Sequence, residues 1–185
     1  MDNKMDNKVD NYIETFTGIK FDFLNPKLDQ IDIEDIAHSL SMQVRYTGHC
    51  SKFYSIAEHC LLVSYMCSDE FKLYGLLHDA SEAYLTDVAS PIKPFLQNYK
   101  MMECKVMNVI TEKYGLGEFF PEEVHLADMN ALRLEITQLM SSKGEGWAIN
   151  NVLSTELPDI ELECMGQEEA KERFLQRFYE LTTNE

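Results

Sequence analysis

The sequence predicts a mainly α-helical domain entered through one short β-hairpin, and three observations lead there. Apolar residues recur at helical spacing in successive stretches from Ile33 to Leu181. Strict alternation occurs around a single turn, in "YIETFTGIKFDF" from Tyr12 to Phe23. Pro91, Pro94 and Pro121, with Gly115 and Gly117, fall where the helical patterns stop or start.

The elements follow in order. "MDNKMDNK" repeats a tetrapeptide and reads, over residues 1–11, as a polar tail without structure. Thr17-Gly18 sits between the two alternating segments and suits a hairpin turn. "LNPKLDQ" reads as loop. Asp32 or Asp35 can cap a helix that runs through Ile36 and Leu40 to about Gln43. Ser55 is the expected N-cap of "SIAEHCLLVSYMC", in which Ile56, Cys60 and Val63 share a face. "DEFKLYGLLHDASEAYL" reads as one further helix, closed by the two prolines of "SPIKPF". "YKMMECKVMNVITEKYGL" is amphipathic and stops at Gly115 or Gly117. Pro121 opens a long helix, "PEEVHLADMNALRLEITQLMSS", in whose first turn proline costs nothing. Gly144 to Cys164 reads as an acidic loop with no assigned role, and "QEEAKERFLQRFYELT" closes the chain as a helix with Phe174, Phe178 and Leu181 on one side. No linker interrupts residues 12–185, which are expected to form one domain.

Composition narrows the function. The chain has 185 residues, a net charge of −16 and a pI near 4.6, with no basic stripe to release counterions from a nucleic-acid polymer. No stretch approaches the roughly 20 apolar residues that span a bilayer, and the polar N-terminus lacks the apolar region of a secretory signal. The five cysteines form no CxxC pair and read as reduced thiols, so the expected location is the cytoplasm.

The segment that carries chemistry is "GLLHDASEAYLTD", where His78, Asp79, Glu82 and Asp87 crowd into ten positions of an otherwise apolar helix. Charged residues are seldom buried unless paired or bound to a metal. His78 and Asp79 diverge by about 100° on a helix yet both reach an ion lying between them, and Glu82 shares that face. Imidazole plus carboxylate suits a first-row divalent ion. Two ligands are insufficient, and His59 and Asp128, each inside another helix, are the candidates to complete the set.

The order His, His-Asp, Asp across three helices resembles the HD-domain metal-dependent phosphohydrolases. The chain looks most like the compact bacterial and phage branch that holds 5'-deoxynucleotidases and phage dATP triphosphohydrolases. The matching pieces are "FDFLNP", "IEDIAHSLS", "RYTGH", "FYSIAEH", "LLHDASEAYLTDVASPIK", "PEEVHLADMNALRLE" and Gly146-Trp147, from about Thr17 to Trp147. The resemblance implies an HD-type helical bundle with His59, His78, Asp79 and Asp128 as metal ligands. It implies Glu82 and Asp87 as catalytic carboxylates, Arg45 and Lys93 against substrate phosphate, and Tyr46 near the nucleotide. His49, in the same loop as Arg45, is a further candidate for the pocket wall. The cofactor is then one divalent metal, Mn, Co, Fe or Zn, with Mg as a further candidate. The partner is a small nucleotide, in host cytoplasm if the gene is phage-borne. Members of that branch commonly form dimers or larger assemblies, so a homo-oligomer is among the expected states.

Three function classes follow. The first is an enzyme that cleaves the P–O5' bond of a deoxynucleotide, releasing phosphate or triphosphate. The second is a silent nucleotide sensor, or a phosphodiesterase acting on another small nucleotide; the third is a protein whose metal only ties helices together. Retention of both Glu82 and Asp87 favours the first, because a binder or a structural site needs neither.

Overall fold

The computed structural model describes residues 11–117, 119–149 and 156–183. The polar tail, apart from Asn11, and residues 150–155 of the acidic loop lie outside them.

Strands β1 (Tyr12–Glu14) and β2 (Lys20–Asp22) pair antiparallel with Ile13 opposite Phe21. Asp35 holds the hairpin tip by accepting from the Thr17 amide at 2.7 Å and its hydroxyl at 2.8 Å. Helix α1 (Ile33–Met42) therefore takes Asp32 as its cap, which accepts from the Glu34 amide. A single 3₁₀ turn, Leu28–Gln30, lies inside the stretch expected to be loop.

Helix α2 (Ile56–Met66) is the centre of the molecule. Ser55 caps it by accepting from the Glu58 amide, and every residue from Ile56 to Ser64 is buried. A helix apolar on nearly all sides must be surrounded. Leu61 faces a core with Ile36, Leu40, Leu77, Ile110 and Phe174, while Val63 faces another with Tyr54, Val124, Ala131 and Leu139. Each Leu, Ile, Val or Phe among them contributes about 1.5–3 kcal/mol by leaving water. His59, midway along this helix, is thereby carried into the interior with no exposed surface.

The helix expected over "DEFKLYGLLHDASEAYL" is broken in two: α3 (Lys72–Leu77) and α4 (Glu82–Leu85). Between them the backbone tightens into i→i−3 bonds, from Ala80 to Leu77 and from Glu82 to Asp79. Helical periodicity alone could not reveal that break, because apolar positions continue in phase across it. Gly75 lets α3 approach α2. A Cβ there would lie 3.0 Å from Cys67 Sγ and 3.2 Å from the Ser64 Cα.

Helix α5 (Tyr99–Tyr114) ends on Gly115, whose left-handed φ of 66° receives the helix terminus. Helix α6 (Glu122–Leu139) starts immediately after Pro121, and α7 (Gln167–Thr182) packs Phe174 and Phe178 into the first core. Residues 156–166 carry neither helix nor strand. Glu58 anchors them by accepting from the amides of Cys164 and Met165, each at 2.8 Å. Among the described residues, no helix is long and apolar enough to cross a membrane.

Candidate metal centre

Three elements bring four side chains to one point. His59 comes from α2, His78 and Asp79 from the tight turns after α3, and Asp128 from α6. His59 Nε2 lies 3.2 Å from His78 Nε2, 3.1 Å from Asp128 Oδ1 and 3.7 Å from Asp79 Oδ2. His78 Nε2 lies 3.3 Å from Asp79 Oδ2 and 3.9 Å from Asp128 Oδ1. The sequence-predicted ligand set is thus a spatial cluster.

The opposite edge of each imidazole fixes its lone pair. His78 Nδ1 lies 2.8 Å from the Gly75 carbonyl, an acceptor only, so Nδ1 carries the proton. His59 Nδ1 lies 2.6 Å from Glu135 Oε1, a buried carboxylate held ionised at about 2, so it too is protonated. When neutral, both rings would therefore turn Nε2 lone pairs toward each other and toward two carboxylates. In that form four lone-pair donors meet, an arrangement that a bound cation or a proton on a ring nitrogen would relieve. Ligand bonds of about 2.1 Å place cis donors of an octahedral or tetrahedral ion roughly 3.0–3.4 Å apart, the span of the three shortest edges here. The donor set fits a divalent transition ion.

The electrostatics of the metal-free protein agree. Burial works against the His78 imidazolium, but Asp79 beside it outweighs burial and holds its pKa above the usual histidine range. Burial likewise opposes ionisation of Asp79, yet His78, His59 and Arg45 keep its carboxyl far below the usual carboxylate range. Positive charge at this point, from a ring proton or a bound cation, is what the two carboxylates favour.

Glu135 was not singled out by sequence reasoning. It is wholly buried and binds three donors: His59, Arg45 through Nη2 at 3.0 Å and Nε at 3.3 Å, and the Tyr46 hydroxyl at 2.6 Å. Burial alone would raise its pKa, but Arg45, followed by His59 and Tyr46, brings it down to about 2. It orients His59, a candidate ligand, and favours the tautomer with the proton on Nδ1. One signal was available: Glu135 stands seven residues after Asp128, two helical turns along the same face.

Arg45 and Tyr46, expected at substrate, are both tied to Glu135, and Arg45 Nη1 also approaches Asp79 Oδ2 at 3.8 Å. They sit on a strained turn in which Tyr46 and Thr47 both adopt left-handed backbone, with φ of 56° and 53°. Two such residues in succession cost of order 1–3 kcal/mol each unless their surroundings impose them. Here the Arg45 amide bonded to the Tyr54 carbonyl and the Tyr46 hydroxyl bonded to Glu135 impose them. His49 is exposed at the end of this turn, and none of its described contacts reaches the cluster.

Glu82 and Asp87 flank the cluster. Glu82 is buried and its Oε2 has no hydrogen-bond partner. Burial first, and then the charges of Asp79 and Asp87, push its pKa up to about 9. Asp87 is also raised, by burial and then Asp79, against Arg45 and Lys93. Lys93 Nζ binds Glu103 Oε1 at 2.9 Å and lies 3.5 Å from Glu82 Oε1. Asp87 follows Thr86, whose φ of 69° and ψ of 150° fall in a region that glycine alone occupies freely.

No protein-family model matches the chain. The uncharacterized protein YfdR of Escherichia coli strain K12 is 39% identical over 171 residues, covering 92% of this chain and 95% of YfdR. An uncharacterized protein of Rhodobacter capsulatus is 31% identical over 137 residues, covering 66% of this chain and 70% of that protein. With near full-length coverage at that identity, the chain belongs to the same family as YfdR.

Proposed function

We propose that this protein is an HD-type metal-dependent phosphohydrolase that cleaves the P–O5' bond of deoxynucleotides, as a dNTP triphosphohydrolase or a dNMP 5'-nucleotidase. The observation that carries the reading is the convergence of four metal-donor atoms beside two further buried or half-buried carboxylates that donate to none of the cluster's edges. A purely structural metal site has no use for the second pair.

His59, His78, Asp79 and Asp128 would hold the ion. When bound, it polarises a phosphoryl oxygen and lowers the pKa of water. Glu82 Oε2, buried and without a partner, is the atom to which an attacking water would donate. Its high pKa in the metal-free protein arises partly from Asp79, whose charge a dication would offset, leaving Glu82 a carboxylate able to accept the proton. As the water oxygen bonds to phosphorus, the P–O5' bond breaks and O5' needs a proton. Asp87, with its raised pKa and its place beyond the end of α4, would supply it. Lys93 and the Nη1 edge of Arg45 would meet phosphate oxygens, one as a point charge and one as half of a fork. Both products, phosphate and triphosphate, come from attack at the same α-phosphorus.

The test is hydrolysis of a panel of dNMPs, dNTPs and NTPs with Mn²⁺, Co²⁺ or Mg²⁺, separating phosphate from triphosphate by ion-exchange chromatography. Turnover of a deoxynucleotide that depends on the metal is expected. Absence of hydrolysis with every metal would overturn the reading.

A further inference from the structure

Gln43 ends helix α1, outside the cluster, and makes four hydrogen bonds with its side-chain amide. Nε2 donates to the Glu82 carbonyl at 3.0 Å and to Ser39 Oγ at 3.1 Å. Oε1 accepts from the Asp87 amide at 3.0 Å and from the Thr86 hydroxyl at 3.1 Å. A primary amide has two donors and two acceptor lone pairs, so all its capacity is used. Every partner except Ser39 belongs to the segment that carries Glu82 and Asp87.

That segment needs such a clamp. Thr86 occupies a backbone region hostile to a β-branched side chain, and such a residue persists only where its surroundings over-determine it. The Thr86 amide bonds back to the Glu82 carbonyl at 2.9 Å, and the Tyr99 hydroxyl donates to the Thr86 carbonyl at 2.6 Å. Gln43 supplies the remaining bonds. Without it the Asp87 amide loses its acceptor, and the turn can relax into an ordinary extended or helical conformation. Either change would move Asp87 relative to Glu82 and the cluster, since the Asp87 amide is held through this turn.

We propose that Gln43 is a positioning residue: its amide holds the strained Thr86–Asp87 turn and so fixes the Asp87 carboxyl relative to the metal cluster. The kinetic part of this inference rests on the phosphohydrolase reading; the structural part does not. Displacing the proton donor by about 1 Å sets a rate loss near 10²-fold.

The experiment uses the full chain with Mn²⁺, comparing wild type, Gln43→Met, Asp87→Ala and the double variant. Gln43→Met keeps the length and removes all four bonds. It should lower kcat about 10²-fold, with KM and bound metal within about threefold of wild type. The double variant should be no slower than Asp87→Ala alone, because both changes remove one function. A merely structural Gln43 would instead make the two losses multiply, and that result overturns the proposal. Amide hydrogen exchange of ¹⁵N-labelled protein reads the clamp without turnover. The Asp87 amide should be protected in wild type and exchange at least tenfold faster in Gln43→Met. Unchanged protection overturns the proposal even if the enzyme is active. If wild type hydrolyses nothing, the phosphohydrolase reading fails while the exchange result still decides the clamp. Should Gln43→Met not fold, Gln43→Glu replaces it. It retains an acceptor for the Asp87 amide, so protection should persist, and its loss would contradict the proposed bond.

Discussion

Glu135→Gln removes one charge and almost no volume from the centre of the site, so its consequences can be worked out bond by bond. Glu135 accepts from His59 Nδ1, from Arg45 and from Tyr46, and all of these partners are donors at those atoms. A glutamine can turn only one oxygen outward. If that oxygen serves His59, the NH₂ group faces the Arg45 guanidinium, which has no acceptor to offer. If the oxygen serves Arg45 and Tyr46, the NH₂ group faces His59 Nδ1 and drives the ring to the tautomer with its proton on Nε2, where a metal should bind. The first arrangement leaves a buried cation under-compensated, although Asp79 at 3.8 Å limits the penalty. A loss of about 2–3 kcal/mol in metal-free stability follows, below the full cost of an orphaned buried charge. The second arrangement weakens the metal about 10–100-fold, the usual effect of losing a carboxylate behind a ligand histidine. Metal at 100 times the wild-type Kd stabilises the wild type by about 2.7 kcal/mol; with Kd raised about 30-fold the same concentration gives only about 0.9 kcal/mol. Guanidinium denaturation with and without Mn²⁺, paired with calorimetric titration of the metal, measures both quantities. A variant with metal-free stability and metal Kd both unchanged within threefold would refute the role assigned to Glu135.

Other expectations follow from the same geometry. Glu82→Ala and Asp87→Ala should each bind metal normally and lose about 10²-fold or more in turnover, whereas Asp79→Ala should lose the metal; metal analysis beside kinetics separates the cases. Gly75→Ala places a Cβ against Ser64 backbone at 3.2–3.3 Å. Overpacking of about 1–3 kcal/mol then exceeds the gain of about 1 kcal/mol in helix propensity, and a thermal melt should fall rather than rise. Metal affinity should weaken as pH falls. His78 in the metal-free protein has a pKa above the usual histidine range and must lose its proton to coordinate, so competition begins above pH 6.5. A Kd equal at pH 6 and pH 8 would contradict this.

Much of the arrangement was legible in the sequence because it rests on residue type and period. Helical spacing of apolar residues located the long helices, and Ser55 and Gly115 act as their cap and terminator in the structure. The four expected ligands converge because α2 and α6 carry His59 and Asp128 to the tight turns that present His78 and Asp79. The break after Leu77 was hidden, since Leu76, Ala80, Ala83 and Tyr84 keep helical spacing in the sequence across it. Glu135 was hidden for another reason. In "LRLEITQL" it reads as one more helix charge, and its burial depends on Arg45 and Tyr46, some ninety residues earlier. Gln43 carried no signal at all, because a neutral amide at a helix end is ordinary until its partners are known. The cations Arg45 and Lys93 were visible, but their engagement with Glu135 and Glu103 was not.

In the proposed reaction water attacks phosphorus and the P–O5' bond breaks. Hydrolysis of the best deoxynucleotide substrate in H₂¹⁸O, with products resolved by mass spectrometry, reads which bond breaks. One ¹⁸O atom per turnover is expected in the released phosphate or triphosphate and none in the deoxynucleoside. Label in the 5'-hydroxyl of the nucleoside, or in a nucleoside monophosphate released from a dNTP, would contradict it.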